Sequence, residues 1–183
     1  MMGCSPYALA RLLVERAEHE LQTARAGVPK RVAVMSDKPP GEFCAQLWAC
    51  VVSYAPKPQK AAPTLRTCAA TEWRVNLTIG VYRCDPSINR SHPEQAPDPV
   101  LLDSAARDML DDAEALRRAI MEANWSVVDV APDQVQVGAM RVVQRSGGAF
   151  GVEHDVVVDT ELGRFTDQAV PMLPADPRKD DTP

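Results

Sequence analysis

The side chains able to do chemistry are few. There are three histidines, and His154 stands out because Glu153 and Asp155 flank it. An imidazole between two carboxylates could move a proton near neutral pH. On a strand, however, both sequence neighbours project to the opposite face, so they do not pair with it readily. The plainer reading is a partly buried histidine satisfied by its surroundings, or one at a subunit contact. Five cysteines stand at 4, 44, 50, 68 and 84, with no C-x-x-C pair. Zinc needs closer ligand pairs or histidines at helical spacing. Cys44 and Cys50 are an even number apart and would share one face of a strand, a redox or metal hint only with histidines nearby. Buried, reduced thiols are the expectation, and with them a cytoplasmic folding compartment.

Asp111, Asp112 and Glu114 could be taken for a metal site. Adjacent helical residues point about 100° apart, and no carboxylate pair here has a known ligand spacing, so a solvated helix face is expected. Lys57, Lys60 and Arg66 make a modest basic loop that could touch a polyanion or order on a partner surface. Trp48, Trp73 and Tyr54 read as core or interface anchors. G-x-G-x-x-G, Walker A, H-E-x-x-H, G-x-S-x-G and EF-hand patterns do not occur. No catalytic residue, metal ligand or cofactor is assigned from these types and spacings.

The elements that must position these residues follow from where the prolines fall. The chain has 183 residues, 16 of them proline and 9 glycine. Proline cannot sit inside a helix or a central strand, so ordered elements belong in the proline-free windows. Ser5-Pro6 opens a helix over about 6–26, whose Leu9, Leu12, Leu13, Ala17 and Leu21 form one apolar stripe, with Gly27 as its stop. A short strand is expected at 31–36 and a turn at 37–41. A strand from Glu42 to Ala55 has apolar residues on both parities, as if covered on both faces. After a loop to about 69, Thr71 to Arg83 alternates strictly, the mark of a strand with one buried face.

A polar loop at 85–97 leads to Asp98-Pro99 and a long helix over about 99–123 with an acidic outer face. Brief strand character follows at Val127 to Val130. Val135 to Gln144 is a strand with a parity shift at Gly138–Ala139 that suggests a bulge. A glycine turn at 146–148 leads into the last strand, about 150–162, and from about 166 the tail is rich in proline and charge. The expected fold is α+β: a single domain over 1–165 with an antiparallel or mixed sheet packed by the two helices, in the order α-β-β-β-α-β-β, and a flexible tail at 166–183.

Net charge is −5 and the sequence pI about 5.2, which argues against a surface that coats nucleic acid. The charge is uneven. Residues 27–97 carry nine basic and five acidic side chains, residues 98–124 three and seven, and residues 152–162 none and four. Opposite faces of this kind suit head-to-tail association; a mixed solvated surface is the plainer reading. No signal peptide is read at the N-terminus, and no run of 18 apolar residues implies a membrane span.

The order and texture of these segments resemble one family. Lys30-Arg-Val-Ala-Val34, the turn Ser36-Asp-Lys-Pro-Pro-Gly41, and a strand ending Val51-Val-Ser-Tyr54 come first. The alternating strand Glu72 to Tyr82, the helix Leu102 to Ala113, and the closing Val152-Glu-His-Asp-Val156 follow. Over about 6–162 the chain resembles the tail-terminator, or tail-completion, proteins of long-tailed bacteriophages. The resemblance implies a non-enzymatic virion protein: a ring, usually a homohexamer, that caps the tail tube and stops its polymerisation. It implies contacts with the tail tube protein and a head-closure or connector protein, with double-stranded DNA passing through the lumen without specific binding. An acidic lumen would let phosphates slide. Trp48, Tyr54, Lys57, Lys60, Arg66, Asp111, Asp112, Glu153, His154 and Asp155 are the candidate interface residues. A head–tail connector, stopper or adaptor ring is the nearer alternative. A small cytoplasmic enzyme or ligand-binding domain is the other class, and would predict a deep cleft near His154 or the cysteines.

Overall fold

The computed structural model describes residues 5–40, 43–57, 72–85, 97–146 and 148–162. The first helix, α1 (Pro6–Leu21), starts where expected: the Ser5 hydroxyl accepts the Tyr7 N–H and Pro6 occupies the first turn. It ends five residues earlier than its apolar stripe suggests. The N–H groups of Gln22, Thr23 and Ala24 bond to carbonyls only three residues back, and the Thr23 hydroxyl also donates to Glu20 O at 3.0 Å. That tightening winds the helix down before Gly27, whose φ of 66° lies in the left-handed region.

Five strands form one sheet in the order β1-β2-β3-β5-β4. β1 (Arg31–Met35) runs parallel to β2 (Gln46–Pro56), and the other neighbours are antiparallel: β3 (Trp73–Cys84), β5 (Ala149–Thr160) and β4 (Val135–Ser146). The second helix, α2 (Pro99–Glu122), is capped by the Asp98 carboxylate, which accepts the Val100 N–H at 2.9 Å. Two helices on a five-stranded mixed sheet make this a single-domain α+β fold in the order α-β-β-β-α-β-β, as the sequence leads one to expect.

Three expectations change. Residues 127–130 are not a strand: Trp125–Val128 is a 3-10 turn. The buried Trp125 indole donates to Ile120 O at 2.9 Å, and Asp129 adopts φ 55°, which turns the chain back before it can extend. β2 is buried on both faces only over Gln46–Cys50, the stretch that β1 accompanies; Val52 to Pro56 is exposed. β3, by contrast, is buried on both faces over Leu77–Tyr82, except that its first residues remain partly open.

Both helices lie on one face of the sheet. There Leu9, Leu13 and Val14 of α1 and Leu116 and Ile120 of α2 pack on Leu47, Ile79, Val81, Val152 and Val156. The back of the sheet carries a smaller cluster of Trp48, Cys50, Tyr82 and Ala149, against which Met35, Cys44 and Val143 pack. Gly80 is needed here, because a Cβ at that position would stand 2.8 Å from the Trp48 ring. The register break between Val137 and Met140 in β4 is the bulge that the parity shift at 138–139 anticipates.

Candidate functional site

Strand register decides which of the singled-out residues meet. Even-numbered positions of β3 face the back of the sheet, and they pair with the odd-numbered positions of β5. Gly80 is thus opposite Glu153, Thr78 opposite Asp155 and Arg74 opposite Asp159. The result is a polar network on the back face. The buried Glu153 carboxylate accepts from the Tyr82 hydroxyl at 2.8 Å and from Lys38 Nζ at 2.6 Å. Arg141 Nη2 donates to Asp155 Oδ1 at 2.6 Å and lies 3.5 Å from Glu153. The Thr78 hydroxyl adds a bond to Asp155 at 3.1 Å. Further along, Arg74 and Lys57 both hold Asp159, at 2.9 and 3.1 Å.

Electrostatics follow the contacts. Hydrogen bonds from Arg141 hold the Asp155 carboxyl below the usual carboxylate range, and those from Arg74 do the same for Asp159. Burial, then the hydrogen bond to Glu153, pushes the Tyr82 hydroxyl up. Burial also pushes up the thiol of Cys50, which keeps it protonated and a poor nucleophile. Every oxygen of Glu153 is taken by a donor. A buried carboxylate held from both oxygens ties β5 to β3 and to the segment after β1.

His154 is not part of this network. It points to the helix side, 5% exposed, with Nε2 3.2 Å from the Ala113 carbonyl of α2. A carbonyl only accepts, so Nε2 carries a proton and donates it. Nδ1 is buried with no hydrogen-bond partner. Desolvation lowers the His154 pKa below its ordinary value. The proton-transfer reading flanked by Glu153 and Asp155 fails on this geometry, because both carboxylates lie through the sheet on its other side.

Other residues also depart from expectation. Asp112 is not on a solvated face: it is 1% exposed and paired with Arg83, which donates to its two oxygens at 2.8 and 2.7 Å. The same guanidinium donates to the carbonyls of Ala26 and Gly27, so one side chain joins β3, α2 and the segment after α1. Burial pulls the Asp112 carboxyl up while Arg83 opposes it. Asp111 is exposed as expected. Trp48 is fully buried and anchors the back-face core, with Tyr82 edge-on to it at 5.5 Å, so it is not an interface anchor. Tyr54 is exposed and stacks obliquely on Trp73 at 6.0 Å. Lys60 and Arg66 lie outside the described residues.

The cysteine expectation is overturned for two residues. The register Gln46↔Tyr82 places positions 44 and 84 directly across from each other, and Cys44 and Cys84 form a disulfide with Cα atoms 4.7 Å apart. Lys38, Arg74, Tyr82, Arg83 and Arg141 complete the sites around the acids but carry no motif. The only signal for them is polar parity on a strand, readable once the partner strand is known. Some of the uneven charge is paired within the chain: Lys38, Lys57, Arg74 and Arg83, from the basic stretch, hold Glu153, Asp159 and Asp112 from the acidic ones.

Among the described residues β1 and β4 pair on one side only. Beside β4, Val137, Met140 and Val142 are exposed, and α2 leaves Leu110 and Met121 uncovered. No group of three or more histidine, cysteine or acidic residues able to hold a metal occurs among the described residues, and no helix there is long and apolar enough to cross a membrane. No protein-family model matches this chain, and no curated protein matches it.

Proposed function

We propose that this chain is a ring-forming structural protein of a bacteriophage virion, a tail terminator that caps the tail tube and joins it to the head connector. The observation that carries this reading is one mixed sheet, covered by helices on one face, whose two outer strands are unlike and, among the described residues, each paired on one side only. Unlike edges allow a head-to-tail contact, and a head-to-tail contact that closes gives a ring. The resemblance in element order over 6–162 supplies the setting. The partners under this reading are further copies of the chain, six in the usual ring, the tail tube protein and a head-closure protein. DNA would pass through the lumen without sequence-specific contact.

The test is a phage lacking this protein. Abnormally long or unjoined tails, repaired by adding the purified protein, are the expected result. Normal-length tails on heads that leak DNA would move the protein to the connector or stopper position. Normal, infective particles would reject a role in the neck.

A further inference from the structure

We propose that β4 of one copy receives β1 of the next, so that the sheet runs on from subunit to subunit. This rests on the ring reading above and names the surfaces that make the ring. Two rows cross the helix side of the sheet in register. One runs Val32, Leu47, Val81, Val152, Val142, and its neighbour runs Val34, Ala49, Ile79, His154, Met140. Both rows are buried in the middle and stop abruptly at β4, where Val142 is 52% and Met140 42% exposed. At the other end Val32 and Val34 are half-buried beneath α1.

Polarity and length agree with this joining. β1 runs parallel to β2, and three antiparallel steps separate β2 from β4, so β1 and β4 point in opposite directions. A second copy in the same orientation therefore offers β1 antiparallel to β4. Val32 then continues the row at Val142, and Val34 continues the row at Met140. On the back face the row is Ala33, Trp48, Gly80, Glu153, Arg141. The incoming Ala33 is small enough to sit beside the Arg141 guanidinium, which is already turned onto Asp155. β1 has five residues, and its last row, Met35–Cys50–Thr78–Asp155, ends at the β4 bulge. The contact stops where the β4 register breaks.

Open edges are normally blunted by proline, charged side chains (lysine above all) or a bulge. Residues 135–146 and 31–35 contain no proline or lysine; the β4 bulge falls at one end of the joint, Arg31 and Arg145 stand at its other end, and Arg141, within it, is held by Asp155. One chain thus carries both halves of the joint, matched in side-chain row, direction and length. That match favours a second copy over an unrelated strand.

The test uses the full chain with Cys4, Cys50 and Cys68 replaced by serine, which leaves the Cys44–Cys84 disulfide in place. Val34→Cys with Met140→Cys, assembled and mildly oxidised, is expected to give a ladder of covalent multimers on a non-reducing gel. Neither single variant gives that ladder. Met140→Lys, at a position open to solvent in the monomer, is expected to weaken association about tenfold or more, with an unchanged melting temperature when both proteins are compared at concentrations where they are monomers. An oligomer by native mass spectrometry that yields no ladder and tolerates Met140→Lys overturns this joint and leaves the ring reading standing. Monomer alone, even with tail tube protein added, overturns both.

Discussion

The two faces of the sheet are built on different principles. On the helix side, the middle of each row of side chains is buried and mostly apolar, and polar groups occur singly: His154 against a helix carbonyl, and Arg83 against Asp112. On the back, a small apolar cluster around Trp48 occupies one end, and the rest is a ladder of cross-strand pairs such as Arg141–Asp155 and Arg74–Asp159. Burial by helices gives the first face its stability through bulk. The second face is only partly covered, so it gains little from area and depends on which residue stands opposite which. With Arg74 and Arg141 both open to solvent, such pairs contribute only about 0–1 kcal/mol each. They penalise a register slip, because a shift by one residue would bring every acid to the apolar side.

The sharpest way to break this contrast is a pair of substitutions at neighbouring positions of β3. Ile79→Ala removes a fully buried side chain between Ala49 and His154 and is expected to cost about 4 kcal/mol. Thr78→Ala, one residue on and facing the back, removes one hydroxyl bond to Asp155 and is expected to cost about 1 kcal/mol. Chemical denaturation of both variants checks the ratio. Equal losses would mean that the back face is as tightly packed as the front.

The disulfide is the back face's strongest tie, and it bridges 40 residues of sequence. Closing a loop of that length stabilises by about 3–4 kcal/mol in the chain-entropy picture. Cys44→Ser with Cys84→Ser should lower stability by about that amount, and adding a thiol reductant to the wild-type protein should reproduce it. A reductant-insensitive melting temperature would show that the bond is not formed in solution.

How much of this was legible beforehand depends on periodicity. The stripe Leu9, Leu13, Ala17 reads correctly because it reports one local surface, and the alternation at Trp73 to Val81 finds the strand but not the burial of its second face, which depends on what covers Leu77–Tyr82 from the back. The bulge at 138–139 also read correctly, since a parity shift is local. What failed depended on partners distant in sequence. Asp112 looked solvated on its own helix, and only the register that places Arg83 beneath α2 buries it. Cys44 and Cys84 looked like separate core thiols, and only antiparallel pairing of β2 with β3 sets them face to face. His154 was recognised as inward-facing from parity, but its acceptor, a main-chain carbonyl 41 residues away, leaves no trace in side-chain types.

His154 offers the finest test of the contrast, because it is a titratable group set in the apolar layer. Its pKa is lowered chiefly by desolvation, against the raising effect of the Ala113 carbonyl and of Asp155 and Glu114, with Arg117 adding to the lowering. The folded protein therefore resists a proton that the unfolded chain accepts near pH 6.5. The unfolded state binds more protons as pH falls below that value, so stability present above pH 6.5 is lost on acidification until the folded pKa is reached. The slope from one such group cannot exceed about 1.4 kcal/mol per pH unit. Asp155 and Asp159 are held below the ordinary range, so their losses come at lower pH, below about 4. His154→Leu should flatten the denaturation-midpoint profile just below pH 6.5 and leave the acid limb intact. A profile unchanged by that substitution would mean that water reaches the ring and that the helix-side layer is not dry at this row.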